Sequence, residues 1–73
     1  MMNRKEIKKM KRDYLFVFTE ESDRAGDEIL CEANSLEDAY DIMYGYYEFK
    51  EEELKYVEEM SVEEGEWLGL DTY

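Results

Sequence analysis

The chain predicts an α+β fold: a small ββαβ-type antiparallel sheet packed by one main helix, with a short C-terminal helix closing it. Three observations carry that reading. Tyr14-Leu15-Phe16-Val17-Phe18 is an unbroken apolar run in a chain otherwise dominated by acids. It has the length of a strand and is rich in the aromatic and β-branched side chains that fit a pleated surface. A polar stretch ending in Gly26 follows it and leads into a second, alternating segment. Ser35 and Ser61 each precede an acidic stretch with helical periodicity, the pattern of a capped helix start.

Taken in order, Tyr14, Phe16 and Phe18 point one way and Leu15 and Val17 the other. Both faces are apolar, so this strand belongs at the centre of the sheet or under cover on both sides. Glu20 to Gly26 makes the hairpin loop. In Asp27 to Ala33, Ile29, Cys31 and Ala33 share one face and Glu28, Leu30 and Glu32 the other. Ser35 is placed to accept the free N–H groups of a helix from Leu36 to about Tyr46. Glu37 and Asp38 oppose the positive end of its dipole. Leu36, Ala39, Tyr40, Met43 and Tyr47 form its inward stripe. Leu54 to Met60 reads as a third strand with Leu54, Tyr56 and Met60 on one face, interrupted by Glu58. The rival is a continuous helix from Phe49 to Met60. Ser61 and Glu64 then form a full capping box, opening a helix to about Leu68. Gly69 suits its left-handed end, and Trp67, Leu68 and Leu70 are expected to anchor the C-terminus in the core.

Seventy-three residues fit one domain with a thin core. Residues 1–11 read as a basic N-terminal arm or short helix and residues 12–73 as a single acidic α+β domain. Charge is the outstanding property, with 9 Lys and Arg against 21 Asp and Glu, a net of −12. From position 13 onward three basic residues face twenty acidic ones, a net of −17. So many carboxylates repel one another and oppose compaction; a strongly positive partner would account for them. The single cysteine, Cys31, allows no internal disulfide and reads as a small core residue, consistent with a reducing, cytoplasmic setting. Neither a membrane span nor a signal peptide is expected.

The missing chemistry narrows the function. Histidine is absent, which removes the commonest general base and nitrogen ligand. One cysteine without histidine cannot build a zinc site. The four glycines are scattered rather than gathered into a phosphate-binding loop, and no acidic segment follows the calcium-loop pattern. The expectation is a protein that is not an enzyme and uses no cofactor and no metal. What remains is surface. Glu37, Asp38 and Asp41 lie on the polar face of the main helix, with Glu51, Glu52 and Glu53 beyond it. Tyr44 belongs to a tyrosine-rich helix end suited to partner contact. These seven are the candidate partner-binding residues.

The hairpin leading into Ala33-Asn34-Ser35-Leu36-Glu37-Asp38-Ala39 resembles the DpnD/PcfM-like proteins over Tyr14 to about Met43. Small size and heavy acidity are similar to those of phage and mobile-element inhibitors, including anti-CRISPR proteins. That resemblance implies nucleic-acid mimicry in the host cytoplasm, blocking the binding site of a defence enzyme such as an RNA-guided CRISPR effector nuclease. The expected partner is thus a basic nucleic-acid-binding protein, with no direct nucleic-acid contact and no membrane. A homodimeric structural or regulatory adaptor, joined through the tyrosine-rich helix end or a free sheet edge and acidic only for solubility, is the alternative.

Overall fold

The computed structural model describes residues 11–73. β1 (Arg12–Phe18), β2 (Glu28–Ala33) and β3 (Leu54–Ser61) form an antiparallel sheet in the order β2-β1-β3. Between β2 and β3 runs α1 (Leu36–Tyr40), continued by a wider π-helical turn, Asp41–Tyr46; α2 (Val62–Leu68) follows β3 directly. This is the α+β arrangement the sequence predicts. Apart from Lys11, the segment read as a basic arm lies outside the described residues.

The apolar run takes the middle of the sheet because both of its faces need cover. Tyr14, Phe16 and Phe18 enter a front core with Ile29, Cys31 and Ala33 of β2, Leu54 of β3, and Ala39 and Met43 above them. Leu15 joins Leu30 and Met60 in a smaller cluster on the back. The hairpin closes as expected, with Gly26 at φ 92 donating its N–H to the Phe18 carbonyl at 2.9 Å.

The rival helix over 49–60 does not form, and the register of β3 explains the awkward Glu58. Phe16 faces Tyr56 while Leu15 faces Glu58, so Val57 is an extra, unpaired residue in a β-bulge. A bulge moves every later side chain to the opposite face. Leu54 and Tyr56 therefore belong to the front core and Met60 to the back. The common face expected for all three is corrected by that one inserted residue.

Ser35 caps α1, its Oγ accepting the Asp38 N–H at 3.1 Å. The expected single helix instead widens after Tyr40, and the Tyr47 N–H donates to the Ile42 carbonyl at 2.9 Å. Ala39 and Met43 are buried as expected. Tyr47, beyond the widened turn, is carried outward, and Tyr40 lies at the margin of the stripe.

The capping box forms: Ser61 Oγ accepts the Glu64 N–H at 3.1 Å and Glu64 Oε1 accepts the Ser61 N–H at 3.4 Å. Gly69, at φ 65, ends α2 in the left-handed conformation. The anchor proposed for the C-terminus is corrected, since Trp67 is 90% exposed and Leu68 half-exposed, while Leu70 alone packs on the back cluster. The inward residue of α2 is Gly65, buried against the Asp13 side chain. Trp67 lies about 200° around the helix from it, which turns the indole to solvent. Backbone pairing holds the C-terminus instead, together with the Tyr73 ring, which packs edge-on to Tyr47 and Phe49. The C-terminus runs parallel to β2, with the Leu30 N–H donating to the Asp71 carbonyl at 2.9 Å and the Tyr73 N–H to the Leu30 carbonyl at 2.8 Å.

Candidate interaction site

Two open grooves flank the sheet, and each is a consequence of how short its covering helix is. The first lies where the π-helical turn meets the start of β3. Tyr40 and Tyr44 stack with ring centroids 5.7 Å apart, and the Tyr44 hydroxyl donates to the Leu54 carbonyl at 2.6 Å. Together with Thr19, Glu51, Leu54 and Lys55 they line about 440 Å³. Burial raises the Tyr44 pKa, helped by Tyr40 and by the Glu51 carboxylate, so its hydroxyl stays protonated and keeps its hydrogen bond. Lys55 at the rim places one of the chain's own cations here.

The second groove, about 560 Å³, lies on the back of the sheet. Leu15 and Met60 form its buried floor, and Trp67 and Leu68 of α2 stand beside it. Glu28 of β2, Glu58 and Glu59 of β3 and Glu64 of α2 complete the lining, with no Lys or Arg lining it among the described residues. Arg12 engages Glu59 at 2.7 Å. Glu64 is committed in part to the Ser61 cap.

No family model matches this chain, nor does any curated protein or solved structure.

Of the seven residues proposed from sequence, the structure brings Tyr44 and Glu51 together in the first groove. Glu37, Asp38 and Asp41 are exposed on the helix and do not line it. Glu52 is exposed and its carbonyl accepts the Thr19 hydroxyl, while Glu53 is half-buried and its carbonyl accepts the Thr19 N–H at 2.9 Å. These last two tie the turn that precedes β3 to the end of β1 through their backbones. Sequence reasoning missed the back groove. The available signal was the wheel of α2, on which Val62 and Gly65 share a side that excludes Trp67.

Cys31 is fully buried in the front core and desolvation pushes its thiol up to about 11, with Asp13 adding to the shift. It is protonated at neutral pH and poorly reactive. Among the described residues no three His, Cys, Asp or Glu side chains are gathered to hold a metal ion, and no helix is long and apolar enough to cross a membrane.

Asp13 is the exceptional carboxylate. It is 2% exposed, and its Oδ1 has no hydrogen-bond partner. Burial first, then the nearby Glu32 and Glu66 charges, raise its pKa above the ordinary aspartate value.

Proposed function

We propose that this chain is a non-enzymatic acidic binding protein that engages the cationic, nucleic-acid-binding surface of another protein and keeps nucleic acid out of it. The observation that supports this is the disposition of its charge. The described residues hold twenty carboxylates against five cations, and Asp13 alone of the twenty is buried. Only Glu59 and Asp27 are held in ion pairs among the described residues. Most of the negative charge therefore faces solvent without an ion pair among the described residues. A groove shaped to receive phosphates attracts such a surface, speeds its encounter at low salt and loses that advantage as salt rises. In this reading the protein works as anti-CRISPR-like inhibitors of phages do, against a host defence nuclease. Glu37, Asp38 and Asp41 are the outward carboxylates of the helix, with Glu51, Glu52 and Glu53 beyond them.

The test is cleavage of labelled DNA by an RNA-guided nuclease with increasing amounts of this protein, across a salt series. Inhibition that weakens with salt, and that is lost in a Glu37→Lys, Asp38→Lys, Asp41→Lys variant, is the expected result. Inhibition indifferent to both salt and charge reversal, or no inhibition at all, overturns the reading for that target.

The adaptor reading keeps one observation in its favour, since Tyr46 is 77% exposed and packs edge-on to the exposed Tyr47. A sheet-edge dimer is less favoured, because β3, the edge strand opposite the C-terminal segment, carries the Val57 bulge and the charged Lys55 and Glu59, features that blunt edge pairing. Sizing the free protein over a range of concentrations separates monomer from dimer.

A further inference from the structure

α2 covers only one end of the back of the sheet, where Gly65 sits on Asp13. Toward the other end Leu15 is left flanked by Glu58 of β3, and Val17 by Glu28 of β2. The groove there combines features rarely left in water together. It has an apolar floor, an indole that is 90% exposed, and carboxylates contributed by three separate elements. A large aromatic side chain presented beside an apolar depression is the usual anchor of a protein interface.

We propose that this groove docks a basic segment of a partner protein. One large apolar side chain enters between Trp67 and the Leu15–Met60 floor, and lysines or arginines on either side of it meet Glu28 and Glu58. Charge complementarity selects this occupant. An uncharged apolar segment would strand the rim carboxylates without partners. A nucleic acid would meet like charge. A second copy joined about a two-fold axis would set the same glutamates against one another. The inference rests on the reading of the chain as a binder of cationic surfaces and adds to it a second contact, on the side of the sheet away from Glu37, Asp38 and Asp41, with an apolar anchor.

Trp67 is the only tryptophan, so its fluorescence in the full chain reports on the groove directly. The probes are a short lysine–leucine peptide and a lysine–serine peptide of the same length and charge, both at low salt. The lysine–leucine peptide is expected to shift the Trp67 emission to the blue and to bind at least about tenfold more tightly than its serine counterpart. Glu58→Lys should weaken both. Trp67→Ala, followed by a labelled peptide, should reduce the leucine peptide to the level of the serine one; its circular dichroism verifies the fold, and its net charge is unchanged. Equal binding of the two peptides, an unmoved emission, or a preference that survives Trp67→Ala overturns the groove while leaving the charge reading standing. Failure of both peptides to bind overturns the charge reading as well. An emission already blue in the free chain and independent of dilution would mean that the groove is closed within the chain, by its own wall or by residues 1–10, whose sequence carries Arg4, Lys5, Lys8 and Lys9. One that reddens on dilution would assign it to a second copy. Either of these also overturns the proposal.

Discussion

The front and back of this one sheet are made from the same three strands and obey different rules. On the front, Phe16 is sealed by Tyr40, Tyr44 and Tyr56, whose rings approach it edge-on at 5.9–6.4 Å. Phe18 meets Phe49 in the same way at 5.5 Å. Apolar side chains are in and carboxylates are out. On the back the order is reversed at two places, with the Asp13 carboxylate buried and the Trp67 indole in solvent. A sequence that is consistent at every level on one face and inconsistent on the other has its stability concentrated in the first. Departures from consistency gather where a protein is used rather than merely held together. The front holds the consistent core, and the back is where the two departures lie.

The contrast is broken most forcefully by paired truncations. Phe16→Ala should cost about 3–5 kcal/mol, since the surrounding rings cannot collapse into the space it leaves. Leu15→Ala, one residue away and pointing the other way, should fall near the lower end of the range for buried leucine, about 2 kcal/mol, because its neighbour is an open groove. Urea unfolding of the two variants measures both. Equal losses would mean that the back is packed as tightly as the front.

Gly65 offers a sharper version. Replacing a helical glycine by alanine ordinarily stabilises by about 1 kcal/mol. Here a Cβ would lie 2.8 Å from Asp13 Cγ, so the sign should reverse and Gly65→Ala should destabilise by about 1–3 kcal/mol. Adding Asp13→Ala removes the carboxyl group and leaves only a Cβ at 3.1 Å, and most of the loss should return. If the single variant proves stabilising, α2 is free to lift from the sheet.

Asp13 itself should make the back face sensitive to pH. Its pKa is raised in the fold by burial and by Glu32 and Glu66, so the folded chain holds this proton more tightly than the unfolded one. Its contribution to stability is therefore fully present below the ordinary aspartate pKa, and is lost as pH rises through the higher folded value. Above that value an ionised carboxylate sits buried with an unpartnered oxygen. Asp13→Asn removes this part of the slope. The variant should be more stable than the parent by about 1 kcal/mol near pH 7, with the difference closing toward about pH 4. Urea midpoints of both proteins across that interval decide it, and a parent that is the more stable of the two at neutral pH would falsify the assignment.

The same contrast governs how far the sequence could be read. On the front face most signals agreed, the widened turn after Tyr40 being the exception. The Tyr14–Phe18 run, the alternation of Ile29, Cys31 and Ala33, and the Ser35 cap all led to the elements that formed. The back face depends on relations between distant segments. Val57 becomes a bulge only in register with β1, and that register alone sends Met60 to the back. Trp67 looked like an anchor because it is large and apolar, whereas its exposure follows from Gly65 being seated on Asp13, 52 positions earlier in the chain. The parallel pairing of the C-terminus with β2 is made by backbone groups of Leu30, Asp71 and Tyr73, which leave no periodicity to find. The exposure of Glu37, Asp38 and Asp41 on the helix was legible, and the back groove was not.

The smallest expected effect is the most discriminating. Trp67→Ala should change stability by no more than about 0.5 kcal/mol, the range of ordinary surface substitutions, because the indole is 90% exposed and alanine is the better helix former. In most small proteins removal of the sole tryptophan is among the more damaging changes, since so large a side chain normally belongs to the core. A near-zero loss in urea unfolding, set beside the cost of Phe16→Ala, would place the two largest kinds of apolar side chain in this chain in separate roles: one holding the fold, the other held out for a partner. A loss of about 2 kcal/mol or more would instead mean that the indole packs on the sheet, that the groove is closed by its own wall, and that the two faces differ in thickness alone.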